Sequence, residues 1–203
     1  NYLIELLLKL ENEISNNNDF YTQEPLKFHE TIETEISDNI ENLHFFLKHN
    51  PNSQLFEKIA TSSIKYHYFT RKELYPYRHF GGNKLSDFKG LPSSFYNFRK
   101  EIIYNDKELK DFYPYYNFLF PHINNLAFEQ LIAVNTNFTL DTNNLEYTDH
   151  KLVLIDSLVT NPMIKNNLLK YTTRNFISNS KSIDKSYILY QSYLDKSTNA
   201  KDK

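Results

Sequence analysis

The sequence contains no cysteine. That excludes disulfides, thiolate catalysis and cysteine-ligated zinc or iron–sulfur sites within the chain. It leaves the redox compartment open. Glycine is nearly as scarce, with 3 residues in 203, against roughly 7% of an average chain. All-β folds and nucleotide-binding loops use glycine at tight turns and phosphate cradles, so neither class fits. No apolar run approaches the roughly 18 to 20 residues of a membrane-spanning helix. Charge of one sign is missing too. The 23 Lys and Arg oppose 25 Asp and Glu, for a net charge of −2. No basic excess argues for a nucleic-acid partner.

Aromatic and apolar residues are abundant. Hydrophobic residues make up 40% of the chain and aromatics 16%, as 16 Tyr and 16 Phe. This is too apolar for a disordered chain. The length suits one domain or two small ones and is enough to bury a core.

Helical periodicity runs through the sequence. Leu3, Leu7, Leu10 and Ile14 repeat at the spacing of one helix face, and Asn16 to Asp19 break it. A second helix is expected near Pro25, with Ile32, Ile36, Ile40, Leu43 and Leu47 as its stripe. A third starts at about Ser53, with Leu55, Phe56, Ile59, Ser63, Tyr66 and Thr70 on one face. It is expected to stop before Pro76, because the residue preceding proline is pushed out of helical geometry. Residues 77–92 hold every glycine, Gly81, Gly82 and Gly90, and read as one long irregular loop. Pro92-Ser93-Ser94 is expected to open a short helix to about Tyr104.

The stretch Phe112 to Val134 reads as helical, with Pro121 kinking or splitting it. Residues 135–144 read as loop. Helix resumes at Leu152, Ile155 and Val159. Asn161-Pro162 is an N-cap and first-turn signal for a helix carrying Ile164, Leu168, Tyr171 and Phe176. A last helix shows Ile183, Tyr187, Tyr190 and Leu194. The expectation is an all-α, irregular bundle of about eight helices with no regular repeat. Residues 1–195 would form a single helical domain. Residues 196–203 would be a polar tail or the start of a linker to a missing domain. Both ends read as cut.

Motifs for chemistry are incomplete. Glu41-x-x-His44 matches half of a di-iron bundle motif, whose chemistry needs a second such pair. His29-Glu30-Thr31-Ile32-Glu33 has a carboxylate where a zinc-protease helix needs its second histidine. Gly81-Gly82-Asn83-Lys84 lacks the ending of a phosphate loop and reads as a turn. Serines, histidines and aspartates are present, but spacing cannot assemble a triad. We therefore expect no catalytic, cofactor-binding or metal-ligating residue. Under an enzymatic reading, Glu41, His44 and His67 are the first to inspect. The aromatic clusters point to packing or to an interaction surface. Tyr75, Tyr77, His79, Phe80, Tyr113, Tyr115 and Tyr116 are its candidates.

Four segments carry a resemblance: LFEKIATSSIKYHYFTRKELYP (55–76), LPSSFYNFRKEIIYND (91–106), FYPYYNFLFPHINN (112–125) and IKNNLLKYTTRNFI (164–177). Their order is similar to the helical region ahead of the thioredoxin domain in TlpA-like thiol–disulfide oxidoreductases of Bacteroidota. That resemblance implies a non-catalytic accessory domain. Its partners would be a C-terminal thioredoxin-like domain of the same protein and protein substrates. It also implies the periplasm or cell envelope, often as a lipoprotein. The family's Cys-x-x-Cys chemistry depends on a thiolate that this chain lacks, so no catalytic residue carries over. The alternative is a stand-alone helical domain that binds a protein or a ligand.

Overall fold

A computed structural model describes residues 2–16, 18–81, 90–141 and 143–199. Among these the protein is all helical, with no strand. In order come α1 (Tyr2–Asn16), α2 (Pro25–His49), α3 (Gln54–Phe80), α4 (Tyr113–Val134), α5 (Leu145–Leu158), α6 (Pro162–Asn179) and α7 (Ile183–Lys196). Two 3-10 turns, Asn18–Thr22 and Asn97–Glu101, complete the described elements.

The boundaries follow local chemistry. Pro25 and Pro162 sit in first turns, where a missing N–H costs nothing. Ser53, Asn144, Asn161 and Ser182 each accept a hydrogen bond from a first-turn backbone N–H. Gly81 ends α3 in the left-handed region at φ 61°, and its N–H bonds to the Tyr77 carbonyl. That conformation favours glycine.

The chain divides into two compact units. The first comprises residues 1–82, 86–101 and 112–119, and the second 83–85, 102–111 and 120–203. In the first unit α2 lies along α3, and α1 and the 18–22 turn also touch α3. Leu6, Leu10, Phe28, Ile32, Leu43, Ile64, Tyr68, Tyr75 and Phe95 form its core. Of the expected α1 face, Leu10 is buried and Leu3 and Leu7 are half-buried, while Leu6 joins the core. The Ile14 side chain lies outside the described residues. A second aromatic group joins Tyr66, Phe69, Phe98, Tyr115 and Phe118, with ring centroids 4.8 to 6.4 Å apart. In the second unit α5, α6 and α7 pack pairwise. They bury Leu152, Ile155, Leu168, Leu169, Phe176, Leu189 and Tyr193.

Several expectations are corrected. Helix α3 does not stop before Pro76 but runs through it to Phe80. Proline removes one helical hydrogen bond, and tertiary bonds hold the last turn instead. The Tyr75 hydroxyl donates to the Gln23 carbonyl at 2.6 Å, and His79 Nδ1 donates to the Tyr21 carbonyl at 2.9 Å. The loop expected over 77–92 therefore starts later. Residues 82–89, with Gly82-Asn83-Lys84, lie outside the described residues.

The helix expected from Pro92 is not an α-helix. Phe95, Asn97 and Arg99 each bond three residues back, the tighter 3-10 pattern. Pro121 leaves α4 unsplit, although the boundary between units falls at Leu119 and Phe120. Val159 lies beyond α5 as its C-cap. The expected tail begins inside α7, and Ser197 is buried. The Thr198 N–H donates to Asn166 Oδ1 at 3.1 Å. Residues 200–203 lie outside the described residues.

Candidate functional site

The polar chemistry of the first unit is organised by three consecutive charges on α3, Arg71, Lys72 and Glu73. All three are buried, at 5%, 1% and 0% exposure. Successive helical residues point about 100° apart. Each charge therefore meets a different neighbour. Arg71 Nη2 lies 3.8 Å from Glu13 of α1. Lys72 Nζ lies 2.6 Å from Glu33 of α2, above the rings of Phe95 and Phe98. Glu73 accepts two hydrogen bonds, at 2.8 and 2.7 Å, from Arg99 of the 97–101 turn. A buried charge is tolerated when paired and hydrogen-bonded.

Beside Lys72 an open cleft of about 360 Å³ is lined by His29, Glu33 and Ile36 of α2. Lys65 and Phe69 of α3 form another wall, and Ser94, Asn97, Phe98 and Glu101 close it. His29 and Glu33 are one turn apart, which puts both on one side of α2. Ser94 Oγ and His29 Nε2 are hydrogen-bonded at 2.9 Å. His29 Nδ1 is buried without a hydrogen-bond partner and lies 3.6 Å from the Glu33 carboxylate. That carboxylate favours the tautomer with the proton on Nδ1, so Ser94 donates to Nε2. Burial, helped by the Lys72 charge, lowers the His29 pKa against the opposing pull of Glu33 and Glu30. The imidazole is thus held neutral, able to accept a proton. Lys65 and Glu101 pair at 2.7 Å across the cleft.

The order serine, histidine, carboxylate is that of a nucleophilic triad. The distances set the cleft apart from one. Glu33 gives its short contact to Lys72, and 3.6 Å to the imidazole is not a hydrogen bond. What the arrangement offers is a set of donors and acceptors over a Phe69 and Phe98 wall.

A second polar cluster centres on Glu13. The Tyr68 hydroxyl donates to Glu13 Oε2 at 3.1 Å and accepts from Asn39 at 3.0 Å. His67 Nε2 lies 3.6 Å from the same carboxylate. Burial raises the Glu13 pKa, but His67, Tyr68 and Arg71 outweigh it and hold the group below its ordinary value. Burial lowers the His67 pKa despite Glu13.

The aromatic candidates divide. Tyr75 and Tyr115 are fully buried, which removes them from an exposed surface. Tyr75 stacks on Phe28 at 3.9 Å. His79 stacks on Tyr75, and Phe80 meets both edge-on. Tyr77, His79, Phe80 and Tyr116 are half-buried, and Tyr113 is 76% exposed. His79 lines a shallow depression with Tyr21, Thr22 and Arg78. Glu41 and His44 are exposed on α2, flanking buried Leu43. Among the described residues no group of histidines and carboxylates is arranged to hold a metal ion. Nor is any helix among them long and apolar enough to cross a membrane.

Sequence reasoning passed over Ser94 and treated His29 and Glu33 as a solvated face. The available signal was Arg71-Lys72-Glu73. Three charges in a row between aromatic residues of a helix require partners on several sides. No protein family, curated protein or solved structure matches the chain.

Proposed function

We propose that the chain is a non-catalytic helical binding domain whose cleft takes a small polar ligand. The observation that carries this reading is the convergence of His29, Glu33, Lys65, Ser94 and Glu101 on one open cavity with an aromatic wall. Cavities with a few convergent polar groups are the usual form of a ligand site. The internal pairing of both cations favours a ligand that is uncharged or carries both signs. A thermal-shift screen of amino acids, polyols and nucleosides tests it. The expected result is a raised Tm with one class, lost in Ser94→Ala and His29→Gln and kept in Tyr113→Ala. The absence of any shift overturns the reading. Covalent labelling of Ser94 by a fluorophosphonate replaces it with acyl transfer.

A second reading is the accessory domain of an envelope thiol–disulfide oxidoreductase. It rests on the similarity of the four segments alone. It predicts a Cys-x-x-Cys thioredoxin segment encoded beyond Lys203. A stop codon directly after Lys203 overturns it.

A further inference from the structure

Helix α7 carries an apolar stripe that no described residue covers. Ile183, Tyr187 and Tyr190 recur at the spacing of one helix face, the pattern expected of a core helix. Yet they are 88%, 63% and 40% exposed. The core is filled instead by Leu189 and Tyr193. Tyr190 also lines a groove of about 390 Å³ between α6 and α7, with Lys170, Thr173, Arg174, Ile177 and Tyr193. Lys170 and Arg174 are one turn apart and exposed. Neither makes an ion pair among the described residues. No carboxylate lines the groove. Two uncompensated cations therefore border an aromatic wall that continues into an exposed apolar stripe.

We propose that this groove docks an acidic peptide segment of a partner protein. Carboxylates on neighbouring positions of such a segment pair with Lys170 and Arg174. Its apolar side chains cover Ile177, Tyr190 and the stripe toward Ile183. Tyrosine suits this role because its ring gives contact area and its hydroxyl a donor. Charge decides against the other occupants. A second copy in a two-fold contact presents the same cations to each other. A nucleic acid engages many phosphates through a wide basic surface, whereas this chain has a net charge of −2.

The test uses the full chain and a short fluorescein-labelled peptide of alternating glutamate and leucine. Fluorescence anisotropy compares it with the same peptide carrying glutamine or lysine for glutamate, and with single-stranded DNA of equal charge. The expected result is binding of the glutamate peptide alone, weakening with added salt. Lys170→Glu with Arg174→Glu reduces that affinity roughly tenfold or more, and Ser94→Ala leaves it unchanged. Equal binding of the glutamine peptide, or of the DNA, overturns the proposal. So does failure of the glutamate peptide to bind, or an unchanged affinity in the double variant. The peptide series needs no variant, so it decides the matter even if the substitutions perturb folding. Self-association by light scattering that is lost in Tyr187→Ala overturns it in favour of a second copy.

Discussion

The two units differ in how their most buried lysines are matched. In the first, Arg71, Lys72 and Glu73 each face an opposite charge from a different element. In the second, Lys151 is buried at 8% exposure. It lies over the ring of Tyr147 at 4.4 Å and makes no ion pair among the described residues. Lys170 and Arg174 of α6 face solvent and make no ion pair among the described residues. The first unit pairs these buried charges internally, around a cleft. The second leaves Lys151, Lys170 and Arg174 without an ion pair among the described residues and an apolar stripe exposed. Pairing ties elements together, whereas unpaired groups at a surface mark where a partner gains most.

The largest expected break in this contrast is Glu73→Ala. It removes the acceptor of both Arg99 hydrogen bonds and should cost about 3–5 kcal/mol, as when one member of a buried pair is removed. Urea unfolding against wild type measures it, and a loss below about 1 kcal/mol would show that the pair behaves as if exposed.

Lys151→Met should act in the other direction. Burial pushes the Lys151 pKa down to about 8 from 10.5. Below the folded value both states are protonated, and the buried charge destabilises the native state in full. As pH rises from 8 toward 10.5 the folded amine loses its proton first and the penalty fades. The substitution should therefore stabilise by about 2–3 kcal/mol at neutral pH, with the gain shrinking above pH 8. A stability gain independent of pH would mean that packing, not charge, is responsible.

Asn105 tests the polar groups that the second unit does satisfy. Its Oδ1 accepts from the Thr160 and Asn161 N–H groups at 2.6 and 2.9 Å, and its Nδ2 donates to the Leu158 carbonyl at 3.3 Å. This clamps the turn between α5 and α6. Asn105→Ala should cost roughly 1–3 kcal/mol, read from thermal unfolding, and a neutral result would mean that water replaces the amide.

The smallest effect concerns two half-buried imidazoles of the first unit. His29 and His67 both have folded pKa values below the ordinary 6.5. The unfolded chain then binds more protons, so stability falls as pH drops through that value toward the folded one. His67→Gln should flatten this acid slope in chemical denaturation at a series of pH values. An unchanged slope would assign the loss to other groups.

Much of the fold was legible in the sequence because helix signals are local. The stripe from Ile32 to Leu47, the helix start near Ser53, the cap at Asn161 and the proline at position 162 all act within a turn or two. The exceptions share a cause. Pro76 should end a helix on local grounds, but long-range bonds from Tyr75 and His79 hold the last turn. Ile183, Tyr187 and Tyr190 have core spacing, but Leu189 and Tyr193 point to the core instead. Periodicity identifies an apolar face without saying what covers it. The cleft was illegible for a related reason: Ser94 and His29 are 65 residues apart, and no spacing rule connects them.

The sequence by itself determined the helical class, most helix ends, and the absence of cysteine chemistry in this chain. These follow from backbone hydrogen bonding, side-chain periodicity and composition, which act over short distances. The tertiary structure alone decided which charges pair, which tyrosines are core, and where a cleft opens. Those outcomes depend on side chains from distant segments competing for the same buried space.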